Sequence, residues 1–266
     1  MAFTLQQLRA KCQRLGLQIL IAAFLQPCYL ALAASPAPTF LLGTDAEADT
    51  LTGKWYRHIY EEAFRRLGIP LSFVVMPTAR LTLAADDGEV HGQATRVLAY
   101  SESHPDQIRV NESVHEVHLA LWFADSNTKV VLPKRIEDLS GGKWTVDYRR
   151  GVAVCENLIK PLVPPTKLAD VTTIEQALKK LLSGRTDLYC EFDLAIQGEL
   201  LGPHFKGETG VRSALDLKSA LPLYPYLHKS QASLAPKLGS VLSKMKAEGL
   251  IDRYFRDAQR EMEAAR

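Results

Sequence analysis

The chain has 266 residues, 47% of them hydrophobic and 23% charged, with a formal net charge of +2. That composition belongs to a globular protein large enough for one sizeable core or two modest ones, and it excludes a disordered or low-complexity chain. A charge so near balance leaves no basic footprint, so no nucleic-acid partner is expected. The first 34 residues stand apart: Arg9, Lys11 and Arg14 make a positive start, and no charged residue follows until Asp45. Residues 15–25 supply an apolar run, Pro27 breaks it, and Ala31, Leu32 and Ala33 place small residues where a signal peptidase needs them. Residues 1–34 are therefore expected to be a cleaved export signal, with an uncleaved anchor as the alternative. Leu25, Gln26 and Pro27 before Cys28 do not suit lipid attachment. Loss of the segment leaves Cys155 and Cys190, a pair that an oxidising compartment can join; the sequence leaves open whether it does.

Residues 40–44 read as a short buried strand, followed by a helix whose apolar stripe is Tyr56, Ile59, Tyr60, Ala63, Phe64 and Leu67. Gly68 and Pro70 end that helix. Residues 71–76 form a strand-length apolar run, residues 79–85 a second short helix, and a third strand is expected near Val90. The same alternation restarts after residue 125. Strands are expected over 143–148, 168–171 and 187–191, and helices over 151–160 and from a Thr172 and Glu175 capping box to Gly184. Residues 119–123 and 214–226 read as strands carrying the chain across and back. A final helix bears Leu234, Leu238, Val241, Leu242 and Met245 on one face. The expected fold class is α/β: two Rossmann-like lobes joined by a two-crossover hinge, residues 38–124 with 217–266 forming lobe 1 and residues 125–216 lobe 2. A cleft between such lobes can close on a ligand.

Several segments in this order resemble bacterial extracellular solute-binding proteins of family 3, the type that includes polar amino-acid receptors of import systems. They are Thr52-Gly53 before the first helix, Gly88-Glu89-Val90-His91-Gly92, Asp138-Leu139-Ser140-Gly141, Gly184-Arg185-Thr186-Asp187, and the closing stretch from Met245 to Ile251. The resemblance covers about residues 40 to 258 and implies the type II periplasmic-binding-protein fold. Departures stand beside it. His91 replaces the usual Asp, Thr95 and Arg96 come earlier than the family's carboxylate-binding pair, and Phe192 lies where the ammonium-binding acid is usual. These residues do not point to an ordinary α-amino acid.

Arg96 at the end of a first-lobe strand can hold a carboxylate by two parallel hydrogen bonds, and Arg80 lies at the mouth of the same lobe. Tyr148, Arg149 and Arg150 sit where a strand passes into a helix, a place that favours an anion. Glu191 and Asp193 at the end of the last second-lobe strand can take a cationic group. Of Trp55 and Tyr56, one stacks on a ligand and the other packs in the core, with Trp55 taken as the ligand contact. No nucleophile elbow, phosphate loop or dinucleotide fingerprint occurs, and His115, Glu116 and His118, three apart on an extended segment, do not form a metal site. The chain is thus expected to be a monomeric periplasmic binding protein without cofactor or metal and without enzymatic activity. It captures a small polar, acidic solute for a membrane transporter. The alternatives are a ligand-sensing module acting on a membrane signalling partner and an enzyme on the same fold, similar to a cyclic-acid dehydratase.

Overall fold

The structure is a computed structural model. It describes residues 38–265, so the expected export segment, with Cys28, lies outside the described residues. Strand β1 (Phe40–Thr44) leads into helix α1 (Leu51–Leu67). The Thr50 hydroxyl caps that helix by accepting from Gly53 N at 3.1 Å, and Gly68 ends it in the left-handed conformation, φ 68°, which a side chain would resist. The face expected to be apolar is buried from Tyr56 to Phe64. Strand β2 (Leu71–Val75), helix α2 (Thr78–Asp86) and strand β3 (Gly92–Val97) complete the first alternation. The third strand begins two residues beyond Val90, because Glu89 and Val90 still bond back to Ala84.

A one-turn helix α3 (Tyr100–Ser103) and strand β4 (Gln107–Arg109) precede β5 (His115–Ala124). The second alternation is β6 (Val146–Arg149), α4 (Ala153–Ile159), β7 (Leu168–Val171), α5 (Ile174–Leu182), β8 (Leu188–Phe192) and α6 (Asp193–Leu200). The cap of α5 is Thr173, one residue later than expected. Its hydroxyl accepts from Gln176 N, and the Gln176 amide oxygen accepts from Thr172 N, so Gln176 takes the part expected of Glu175. Strand β9 (Val211–His228) returns the chain to the first lobe. The expected final helix is two, α7 (Ala235–Ala247) and α8 (Leu250–Ala264), separated at Gly249.

The strands form one mixed sheet in the order β2-β1-β3-β9-β5-β8-β6-β7, with β4 also on β9. Pairs β1–β2, β1–β3, β6–β7 and β6–β8 are parallel; β5 and β9 are antiparallel to each other and join the two parallel halves. Both joining strands are longer than expected. Their register slips at three points between Val117 and Trp122, the first opposite Ala220, which among the described non-glycine residues is the one with positive φ, 53°. One core gathers α1, α7 and α8 on the first half of the sheet, including Phe40, Leu42, Ile59, Phe64, Leu238 and Leu242. Another gathers Leu119, Leu121, Val146, Ile159 and Leu188 on the second half. A disulfide joins Cys155 of α4 to Cys190 of β8, with Cα atoms 5.8 Å apart. Among the described residues no helix is long and apolar enough to cross a membrane. The architecture is the two-lobed α/β fold expected from the sequence.

Candidate functional site

The carboxyl ends of parallel strands from both halves of the sheet converge on one cleft: Asp45 after β1, Met76 after β2, Arg96 in β3, Arg149 in β6 and Phe192 in β8. Open α/β sheets present ligand sites at these strand ends, because loops and helix starts gather there with free backbone groups. The cavity has a volume of about 270 Å³, the size of a small metabolite. Met76, Val97, Val117, Val152, Phe192 and Leu223 supply apolar wall.

Arg149 stands between the lobes with its guanidinium spent. One edge faces the fully buried Glu191, Nε donating to Oε2 at 2.6 Å and Nη2 to Oε1 at 3.3 Å. Glu191 is also held by the Tyr189 hydroxyl at 2.8 Å and by Phe192 N at 2.9 Å. The other edge crosses to the first lobe, where Nη1 donates to Asp45 Oδ2 at 2.5 Å and to Thr78 Oγ1 at 2.7 Å. The Thr78 hydroxyl in turn donates to Asp45 at 2.7 Å. Burial would raise the Asp45 carboxyl, but Arg149, with Arg96 behind it, outweighs burial and lowers it to about 2. Burial likewise opposes charge on Arg149, yet Glu191 and Asp45 raise it well above the ordinary arginine value.

Arg96 is differently placed. Its Nη2 makes only long contacts, to Thr78 O at 3.5 Å and Thr82 Oγ1 at 3.3 Å, and its guanidinium lies 5.1 Å from the centre of the Tyr100 ring. Its Nε is buried and has no hydrogen-bond partner among the described residues. Among the described residues Arg96 pairs with no carboxylate although it lines the cleft, and a guanidinium so placed suits an anionic group. Beside it, Thr95 donates to the Tyr56 hydroxyl at 3.3 Å, and Tyr56 meets His115 at 2.7 Å. Burial pushes Tyr56 upward and His115 down to about 4, so this polar run is uncharged at neutral pH.

The outer part of the cleft is acidic. Glu47 and Asp49 from the loop after β1 face Glu175 and Glu199 of the second lobe. Burial, then the charges of Glu175, Asp49 and Glu47, raise the Glu199 carboxyl. Glu175, Glu199 and His204 bring ligand-type atoms within 4.8 Å of one another, a donor set of the sort that divalent cations use. Glu175 is already paired with Lys179 at 2.5 Å, and His204 is exposed.

Of the residues expected at the site, Arg96 and Arg149 line the cleft together. Arg80 is exposed on α2 and lies outside the lining. Trp55 is core: its indole donates to Ile251 O at 2.9 Å and packs edge-on against Phe255, and it is Tyr56 that faces the cavity. Tyr148 is buried in the second core, and Arg150 turns to solvent, where it pairs with Asp170 at 2.5 Å. Glu191 reaches the cleft only through Arg149. Asp193 accepts from His118 N at 3.0 Å and from Leu194 N at 2.7 Å, so it fixes the start of α6. The anion expected beside Arg149 is displaced by carboxylates of the chain itself. His91 accepts from Leu41 N and packs on Phe40, a structural task. Sequence reasoning missed Asp45 and Thr78, although Asp45 is the first charge after a strand and a helix start follows at Thr78.

No protein-family model matches the chain. An uncharacterised protein of Shewanella oneidensis is 29% identical over 257 residues, covering 92% of this chain and 95% of that protein. An ancestral arginine-binding protein superposes with a TM-score of 0.67 at 19% identity in its complexes with glutamine and with arginine, covering 82% of this chain and 96% and 97% of the neighbour. A histidine-kinase sensor domain similar to periplasmic binding proteins gives 0.67 at 16% identity over 83% of this chain and 96% of the domain. An ancestral amino-acid-binding protein, precursor of cyclohexadienyl dehydratase, gives 0.64 at 16% identity over 82% and 94%. These neighbours share the two-lobed architecture, and the fold of this chain is that of the type II periplasmic binding proteins, the fold also of amino-acid substrate-binding proteins of transporters.

Proposed function

We propose that the protein is an exported, monomeric, periplasmic solute-binding protein that captures a small polar solute between its lobes and delivers it to a membrane transporter. In this reading residues 38–124 with 217–266 form lobe 1 and residues 125–216 lobe 2. The observation that carries the reading is Arg96, which lines the cleft and has no carboxylate partner among the described residues, an arrangement that favours an anionic group on the solute. Glu47, Asp49, Glu175 and Glu199 would repel a second anionic group at the outer end, so the preferred solute has one carboxylate near Arg96 and a neutral or cationic far end. A thermal-shift panel of monocarboxylates, dicarboxylates, amino acids and polyamines tests this. A solute at a hundred times its dissociation constant stabilises the fold by roughly 2.7 kcal/mol. The expected hit is a monocarboxylate whose shift disappears in Arg96→Ala; a hit that survives the substitution removes Arg96 from the site.

A second reading, a sensing module acting on a membrane signalling partner, is favoured by the likeness to a sensor-kinase domain. The dehydratase precursor among the neighbours keeps an enzymatic reading in view. Turnover of a cyclic acid by the purified protein would replace the binding reading, and co-purification with a sensor kinase instead of a permease would replace the transport one.

A further inference from the structure

In a two-lobed receptor the ligand ordinarily supplies the contacts that bridge the closed lobes; here the chain supplies a bridge of its own. Glu191, Tyr189 and Arg149 form a fixed unit of the second lobe, since the Glu191 carboxylate takes two donors from Arg149, one from Tyr189 and one from the backbone. That unit presents the Nη1 edge of Arg149 outward, and the first lobe meets it with a matched pair of acceptors, Asp45 and Thr78, already hydrogen-bonded to each other. The approach is close beyond these side chains. A Cβ at Gly151 would lie 2.7 Å from Ala79 N, and one at Gly198 would lie 3.0 Å from Thr52 Oγ1, so backbone meets the other lobe at two further points.

We infer that Arg149 is an internal clasp: its contact with Asp45 and Thr78 holds the lobes together without a solute, and solute entry requires that clasp to release. The argument is one of balance. A charge-assisted contact that crosses the cleft exists only in the closed arrangement, so it favours that arrangement over the open one whatever occupies the cavity. Glu191 keeps Arg149 compensated in both arrangements, which lowers the electrostatic cost of parting the lobes: within the clasp, Asp45 and Thr78 are the groups that lose their partner. Asp45 is also withdrawn from any ligand ammonium, which leaves Arg96 as the cation within the lining that lacks a carboxylate partner among the described residues. The consequence for solute uptake rests on the proposed binding function; the clasp itself does not.

Small-angle X-ray scattering of the ligand-free protein tests it. Asp45→Asn weakens the acceptor, and Thr78→Val removes the hydroxyl while keeping the shape; both leave the Arg149–Glu191 pair of the second lobe in place. Both variants are expected to remain folded by circular dichroism and to have a larger radius of gyration than wild type. Equal radii for wild type and either folded variant overturn the clasp. Thr78→Val, nearly isosteric, keeps the test decisive if Asp45→Asn does not fold. Since no solute is added, a protein that binds nothing in the thermal-shift panel still answers this question, and the two failures are distinguishable.

Discussion

Tyr56 gives its hydroxyl hydrogen to Nε2 of His115 across 2.7 Å in the wall of the cleft, and the direction follows from the other ring nitrogen. Nδ1 lies 3.2 Å from the Glu116 carbonyl, an acceptor, so the proton sits on Nδ1 and Nε2 is free to accept. Protonating the ring would place a second N–H against that hydroxyl inside a buried site. Burial accordingly holds His115 at about 4 in the folded protein, against 6.5 for the free side chain. Below pH 6.5 the unfolded chain then binds more protons than the native one, and stability falls as pH drops from 6.5 towards 4. His115→Gln keeps an uncharged partner for Tyr56 and removes this titration. Urea midpoints of the two proteins should differ in their pH slope across that window, with a span on the order of 3 kcal/mol at most; parallel slopes would place a charged ring in the cleft.

Gly151 gives a test of closure by backbone alone. Its φ of 89° and the 2.7 Å from a would-be Cβ to Ala79 N mean that Gly151→Ala pushes on backbone, which no rotamer can relieve. The substitution should open the lobes and weaken retention of any bound solute at least tenfold, whereas strain within the second lobe costs only about 1–2 kcal/mol. Titration calorimetry with a thermal-shift hit, beside a melting curve, separates the two effects. Unchanged affinity would mean that solute is held without full closure.

The Cys155–Cys190 bond ties α4, whose first turn lines the cleft, to β8, which carries Glu191. It spans 35 residues of sequence. Replacing both cysteines by alanine should cost about 2–4 kcal/mol, chiefly through the freedom regained by the unfolded chain. Denaturant curves of wild type with and without reductant should show the same loss, and coincident curves would mean that the bond is absent in solution.

Most of the fold was legible because each element carries a local signature. The stripe from Tyr56 to Leu67, the Gly68 stop and the apolar run at 71–75 need no tertiary information. The extra length of β5 and β9 as paired strands was not legible: His115, Glu116 and His118 are polar, and the partner strand, residues 221–223 at that end, lies about a hundred residues away, with His115 in the cleft wall. The site was read less well for a related reason. Strand ends locate a cleft, so Arg96 and Arg149 were found, but which cation is free depends on carboxylates far away in sequence. Asp45 is 104 residues from Arg149 and Glu191 is 42 away, and only the fold reveals that Arg149 is spent and Arg96 is not.

The first core is closed by both ends of the described chain. Phe40, Ile59 and Phe64 pack with Leu238, Leu242, Met245 and Ile251, whereas the buried members of the second core all fall between Leu119 and Cys190. A chain made from its N-terminus presents β1, α1 and β2 first, with the apolar face of α1 uncovered until residues beyond 234 arrive. The contiguous second core has no such wait and lower loop-closure cost. The topology therefore favours closure of the second core before the first, so the half made first is the one whose apolar face waits longest for its cover.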